Sequence, residues 1–430
     1  MKVYKNPAPK DWETISQRPS FKTEDLSEKV QAILTEVRTN GDKALRNFSL
    51  KFDGVKLDDL RVSALEIKIA KNEVSMQLKK AIAIAAENIK KFHSSQKSSE
   101  AKVQTMPGVF CWRENVAIQN VGLYIPGGTA PLFSTILMLG IPAQLAGCGQ
   151  IVLCTPSDKN GKINAAILYT ASELGITEIY KIGGAQAIAA MAFGTESIQK
   201  VNKIFGPGNQ YVMKAKELVQ QIGVAIDLPA GPSEVLVIAD SDADADFVAA
   251  DLLSQAEHGP DSQVVLLTID ESLPQKVADA IKRQLKNLPR AEFVKKALEN
   301  SFSVVFNSIS NCIAFSNVYA PEHLILAIID PESYTAQIQN AGSVFLGKYS
   351  CESAGDYASG TNHTLPTSGY AKSYSGVSLD SFVKKITFQK ISKSGLQNIG
   401  KTIEVMAEAE ELFAHKNAVS IRLKKIENEK

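Results

Sequence analysis

Cysteine is scarce in this sequence, and what there is does not pair. The five cysteines (Cys111, Cys148, Cys154, Cys312 and Cys351) are an odd number, widely scattered. No C-x-x-C pair occurs, which argues against a zinc ribbon or a thioredoxin-type site. Reduced thiols in a cytosolic chain are the fitting expectation. An excess of one charge is also missing: Lys plus Arg total 47 and Asp plus Glu total 46. The net charge of +1 gives no electrostatic reason to expect nucleic acid or an anionic membrane as partner. No apolar run reaches the length of a membrane span. The longest stretch, Ala130 to Gly147, is broken by Pro131, Pro142 and Gln144 and reads as a buried helix. Met1 to Ser20 lacks the apolar core of a secretory signal, so a cytoplasmic location is expected.

The balance of 44% hydrophobic and 22% charged residues is that of a globular protein. The 430 residues exceed the usual size of one hydrophobic core, so two or more domains are expected. Phe21 to Ala101 is charged and helix-rich, with Val30, Ile33, Leu34 and Val37 at helical spacing. Thr39-Asn40-Gly41-Asp42 marks a helix end followed by a new start. From Val116 onward, short apolar runs such as Asn120–Ile125, Gln150–Cys154 and Lys203–Phe205 alternate with amphipathic stretches. That alternation predicts a parallel sheet covered by helices. It resumes after Ile226, through Ser233–Ile238, Gln263–Ile269 and His323–Ile328. The expected class is α/β: two β/α domains with parallel-type sheets, plus small N-terminal and C-terminal helical extensions. The expected divisions are an N-terminal extension (1–20), a main α/β domain (21–123 and 233–377), an inserted α/β domain (124–232) and a helical tail (378–430). Gly347 to Gly376 reads as a long loop, and such loops are usually functional or disordered.

Three glycine-rich turns follow predicted strands and open helices: Ile125-Pro126-Gly127-Gly128-Thr129, Ile182-Gly183-Gly184-Ala185-Gln186 and Phe205-Gly206-Pro207-Gly208-Asn209. Each puts backbone N–H groups where a phosphate or carboxylate could bind. None is a dinucleotide fingerprint or a Walker sequence, so tight structural turns are the competing reading. Among five histidines, His258 ends a predicted helix three residues after Gln255, so both project from one face. An imidazole and an amide oxygen there could share a metal ion, but on spacing alone a helix-capping histidine is the commoner role. Glu322-His323 joins a carboxylate to an imidazole, two proton-transfer groups of different pKa. Asp356 and His363 are polar groups of the long loop. In the tail, Glu408, Glu411 and His415 could share a helix face with Glu410 off it, and a solvated charged helix is the plainer account.

Together these motifs resemble histidinol dehydrogenase. Ala225 to Asp240 and Asp251 to His258 resemble its signature, and the likeness extends through Val121–Gly128, Gly183–Gln186, Phe205–Asn209, Ala320–His323, Ser353–His363 and Ala414–Ala418. Ser157 to Gly161 looks like a small insertion, and Leu412-Phe413 varies a helix position. The resemblance implies a zinc-dependent homodimer that oxidises L-histidinol through L-histidinal to L-histidine with two NAD⁺. It implies one zinc per subunit held by Gln255, His258, Asp356 and His415, and a catalytic pair at Glu322 and His323. Ser233, His363 and Glu410 would touch substrate, as would His323 and the zinc ligands. Tyr124, Gln186 and Asn209 would touch NAD. The C-terminal tail would complete the partner chain's site. Two alternatives stand beside it: a ligand-binding α/β protein without catalysis, and an aldehyde dehydrogenase-like enzyme using a cysteine.

Overall fold

The computed structural model describes residues 1–19, 24–127, 130–229 and 231–429. Gly128 and Thr129 of the first glycine turn, Ala230, and the expected boundary at 20/21 lie outside the described residues. The chain divides into two compact units, one comprising Met1–Gln96 with Ile118–Phe382, the other Lys97–Ala117 with Val383–Lys430.

The first unit holds two sheets whose strands all run parallel. One has six strands, in the order Lys2–Lys5, Phe302–Val305, Gln263–Thr268, Glu234–Ala239, His323–Ala327 and Ser343–Leu346. The other has five, in the order Glu178–Tyr180, Gln150–Cys154, Asn120–Tyr124, Lys203–Phe205 and Ala225–Ile226. Helices cover the sheet faces, so the central strands are apolar on both sides. In Glu234–Ala239 the side chains alternate: Val235, Val237 and Ala239 enter one core, Leu236 and Ile238 the other. The long apolar stretch is a helix, Phe133–Ala146, with every residue from Ser134 to Ala143 buried. The long N-terminal helix Glu24–Phe48 is interrupted at Gly41, whose φ of 48° and ψ of −132° only glycine adopts readily.

The second unit is an antiparallel sheet, Val383–Ile391 beside Val109–Ala117 beside Val103–Met106, with two helices, Lys393–Ala409 and Phe413–Asn428. Trp112 stacks on Phe388 across it at 5.5 Å.

Several elements differ from expectation. The tail is not all helix, because Val383–Ile391 near its start is a strand. The β-branched and aromatic residues Val383, Ile386, Thr387 and Phe388 favour that state, but their partner is residues 109–117, too distant in sequence to signal the pairing. The N-terminal extension is only partly helical: Lys2–Lys5 adds an edge strand to the six-stranded sheet, and helical turns follow at Pro9–Asp11 and Trp12–Ile15. Asn120–Tyr124, which the expected boundary at 123/124 cuts, sits in the middle of the five-stranded sheet. The expected loop 347–376 contains a short helix, Glu352–Tyr357, and a turn of 3-10 helix at Tyr370–Lys372. Among the described residues no helix is long and apolar enough to cross a membrane.

Candidate active site

The six-stranded sheet gathers the polar residues at the amino ends of two neighbouring strands. Strands Glu234–Ala239 and His323–Ala327 pair in parallel with His323 opposite Val235, which sets Glu322 beside Glu234. The helix Ala245–Ala256 runs antiparallel to the strand it follows, so its last turn returns to that same edge. Asp244 starts it by accepting from the N–H groups of Asp246 (2.8 Å) and Phe247 (3.4 Å). Its end delivers Gln255, and the N–H of His258 folds back onto the Gln255 carbonyl at 3.2 Å.

One residue's backbone organises the cluster. The Glu234 N–H donates to Glu322 Oε2 at 2.8 Å. The Glu234 carbonyl accepts from Gln255 Nε2 at 3.2 Å and faces His323 Nδ1 at 3.2 Å. Gln255 Nε2 also donates to Glu322 Oε2 at 3.1 Å. With the Glu234 carbonyl at Nδ1, Nε2 is the ring nitrogen left to take or give up a proton. His323 Nε2 points towards Asp356 Oδ1 at 3.4 Å, and the ring stacks on Phe345.

The short helix Glu352–Tyr357 contributes two carboxylates. Glu352 and Asp356 are four apart and share a face. Ligand atoms of His258, Glu352 and Asp356 lie within 4.8 Å of one another. Four polar atoms here are buried without a hydrogen-bond partner: Gln255 Oε1, His323 Nε2, Glu352 Oε2 and Asp356 Oδ1. Buried polar atoms are rarely left unpaired, and a cluster of them with like charges points to an ion or substrate. Burial raises the pKa of Glu352 well above the ordinary carboxylate range, and Asp356 and Glu322 add to that. Burial also raises that of Glu322, against the pull of His323. For His323, burial opposes the charged form, but Glu352, Glu322 and Asp356 outweigh it and hold the imidazole well above its usual range. His258 is exposed as a residue, yet crowding of its ring lowers its proton affinity and favours the neutral form that a ligand needs.

His363 bridges the two sheets. Its Nδ1 donates to the Asp356 carbonyl at 3.0 Å, and its Nε2 lies 3.1 Å from Thr135 Oγ1. Thr135 opens the helix that follows the strand Asn120–Tyr124 of the five-stranded sheet. The amino edge of one sheet therefore meets the carboxyl edge of the other. Ser233, half-buried, directly precedes the strand Glu234–Ala239.

On the carboxyl edge of the five-stranded sheet the second and third glycine turns meet Tyr124. Its hydroxyl accepts from the Gly184 N–H at 3.0 Å, and burial pushes its pKa up to about 12. Gly206, at φ 126°, lies so close that a Cβ there would collide with the Tyr124 carbonyl. Gln186 is buried in the helix Gly184–Phe193. Asn209 caps the helix Gln210–Gln220, accepting from Tyr211 and Val212 N–H groups. The Gly206 peptide is clamped on both sides: Lys216 Nζ donates to its carbonyl at 2.9 Å, and its N–H donates to Asp227 Oδ2 at 2.8 Å. Lys216 and Asp227 pair with each other in full burial. Lys216→Met would leave Asp227 buried and uncompensated, so denaturant unfolding is expected to show a loss of about 3–5 kcal/mol; an unchanged midpoint would refute that role for the pair.

His415 and Glu410 belong to the second unit, His415 in the helix Phe413–Asn428 and Glu410 just after the helix Lys393–Ala409; both are exposed there. Of the residues singled out from the sequence, the first unit thus brings together Glu322, His323, Gln255, His258, Asp356 and His363. Tyr124, Gln186 and Asn209 form a separate group.

A family model described as histidinol dehydrogenase matches residues 16–423. The chain belongs to the histidinol dehydrogenase family. A histidinol dehydrogenase of Bacteroides fragilis (strain YCH46) is 57% identical over 426 residues, spanning 99% of this chain and 100% of the relative. One from Aliivibrio fischeri (strain ATCC 700601 / ES114) is 53% identical over 418 residues, spanning 96% and 94% respectively. The crystal structure of histidinol dehydrogenase from Elizabethkingia anophelis is similar at a TM-score of 0.97 and 62% identity, covering 99% of both chains.

Within this histidinol dehydrogenase fold, Glu352, Thr135 and the side chain of Glu234 join the site beyond the residues singled out from the sequence. Glu352 carried a signal, its spacing of four from Asp356, which is visible only once that segment is read as helix. Glu234 and Thr135 carried none, because backbone proximity across strands and between sheets leaves no local pattern.

Proposed function

We propose that this chain oxidises L-histidinol through L-histidinal to L-histidine, passing two hydrides to two NAD⁺, the last steps of histidine biosynthesis. The observation that carries the reading is the meeting of a buried Glu322–His323 pair with orphaned ligand atoms, in a chain of this family.

The donor set suits a divalent cation such as zinc: an imidazole at His258, a carboxylate at Asp356 and the unpartnered amide oxygen of Gln255. Glu352 stands close enough to join or balance it. His415 as fourth ligand and Glu410 as a substrate contact rest on the resemblance alone, as do the homodimer and the donation of the tail to a partner chain. One zinc per subunit would offset the buried carboxylate charge and fix the substrate's nitrogens.

In its neutral form His323 holds its Nδ1 proton on the Glu234 carbonyl and presents Nε2 to the substrate hydroxyl, whose proton it takes as the first hydride leaves; a cation offsetting Asp356 and Glu352 would favour that form. Glu322, held by the Glu234 N–H and the Gln255 amide, is a buried base that takes a proton from the water attacking the aldehyde. The second hydride then leaves. Ser233 and His363 line the approach, and His363, fixed by its bond to the Asp356 carbonyl, would orient the substrate. Tyr124, Gln186 and Asn209 are assigned to NAD, supported by their place at the carboxyl edge of a parallel sheet beside glycine turns. A biosynthetic role of this kind fits a cytoplasmic enzyme.

This chemistry needs no thiol. Burial pushes Cys148 up to about 11 and Cys312 up to about 12, so neither is poised as a thiolate. Cys351 directly precedes Glu352 and is the thiol that a cysteine mechanism would use. Purified protein is expected to form NADH from L-histidinol, and Cys351→Ser is expected to do so at the wild-type rate. No NADH from the wild type would overturn the reading, and loss with Cys351→Ser would favour covalent thiol catalysis.

A further inference from the structure

Arg18 lies outside every motif singled out in the sequence, in the segment expected to be a mere extension. That segment is pinned to the six-stranded sheet by its strand and by Trp12, whose ring meets Phe306 and Phe315 edge-on at 5.7 Å. It carries Arg18 under the amino ends of the two strands that bear the site.

The guanidinium there makes a connected set of bonds. Arg18 Nε donates to Glu234 Oε1, and one terminal nitrogen donates to Glu234 Oε2 at 2.8 Å. The same nitrogen donates to the Tyr319 carbonyl at 2.8 Å and approaches the Ala320 carbonyl at 3.4 Å. The guanidinium carbon lies 4.0 Å from the centre of the Tyr319 ring. Glu234 receives one more donor, the Ser368 N–H at 2.8 Å. The carboxylate is buried, so removing its cation would leave an uncompensated charge beneath the site.

Both ends of this bridge lead to the chemistry. The Glu234 backbone binds Glu322 and Gln255 and faces His323. Tyr319 and Ala320 directly precede Pro321-Glu322-His323, and Ala320 sits at φ 54°, a left-handed conformation that a residue with a Cβ keeps only under constraint. The forked geometry of a guanidinium can hold a carboxylate and two carbonyls in one plane, and a lysine ammonium cannot.

We propose that Arg18 and Glu234 form a positioning pair that fixes Glu322 and His323 relative to each other, with Arg18 clamping the two strand entries and Glu234 presenting its backbone to both side chains. The inference rests on the assignment of Glu322 and His323 as the proton-transfer pair. The Arg18 guanidinium and the Glu234 carboxylate are bonded to each other and to the backbone, and act through the geometry of the residues above them.

The test is steady-state kinetics on Arg18→Ala, Arg18→Lys and Glu234→Gln, each checked by circular dichroism and thermal melting. A misplacement of the pair should lower kcat by about 10²-fold in Arg18→Ala. The KM for NAD⁺ should be unchanged, because the Tyr124 group stands on the other sheet. Arg18→Lys should recover little, since it keeps the charge and loses the fork. Guanidinium ion at non-denaturing concentration should restore part of kcat to Arg18→Ala, and methylammonium at the same concentration should not. A merely structural arginine would lower the melting temperature and leave kcat per folded molecule intact. If Arg18→Ala fails to fold, Arg18→Lys and Glu234→Gln carry the test through their kcat. Wild-type kcat in the folded variants overturns the inference while leaving the function standing, whereas a wild-type protein inactive on L-histidinol overturns the assignment on which it rests.

Discussion

Glu322→Gln is expected to slow oxidation of supplied L-histidinal by about 10²–10⁴-fold, the usual contribution of a positioned general base. The amide keeps the shape of the side chain, and its oxygen can still accept from the Glu234 N–H, so the fold should be preserved. What it loses is the capacity to take a proton from water. His323→Asn should show the reverse pattern. An asparagine amide can occupy the place of Nδ1 against the Glu234 carbonyl, but nothing remains where Nε2 faced the substrate. Its defect should fall mainly on the alcohol step and be smaller when histidinal is the substrate. Stopped-flow formation of NADH from each substrate separates the two. Equal defects of both variants on histidinal would contradict the division of labour.

The second large effect concerns the metal. Chelation is expected to take activity to background, and added Zn²⁺ to restore it. The reason lies in the four buried atoms without partners, which the protein alone leaves unsatisfied. Asp356→Asn removes one of the carboxylates and should lower metal content by elemental analysis, together with activity. Glu352→Gln should show whether the neighbouring carboxylate binds or only balances charge, through its effect on metal affinity. For the tail, His415→Ala mixed with Glu322→Gln should regain activity if a partner chain supplies His415; no recovery would place the ligand within one chain. Activity unaffected by chelation would remove the metal from the mechanism.

Much of this site could be read from the sequence, but unevenly. The two parallel sheets follow from apolar runs such as Glu234–Ala239 and Gln263–Thr268, buried on both faces and separated by helix-period stretches. Glu322-His323 announced itself as a polar dipeptide entering a strand. Gln255 and His258 gave only a weak spacing, and their partner Asp356 lies about a hundred residues away in what reads as loop. The antiparallel sheet was invisible because Val383–Ile391 pairs with residues 109–117, and no local pattern records that register. Glu234 is the sharpest case. It looks like the first residue of an ordinary strand, and its place in the site comes from backbone groups that bind the reacting side chains and from a carboxylate that Arg18 holds. Only the pairing of two strand entries shows that Glu322, Gln255 and His323 all gather around it.

The observation that decides most is the ratio of NADH formed to L-histidinol consumed, with the product identified. One active centre performing both oxidations predicts two NADH for each histidinol and L-histidine as product, without histidinal accumulating in solution. A ratio of one with free histidinal would contradict the account, because Glu322 would then have no second reaction to serve.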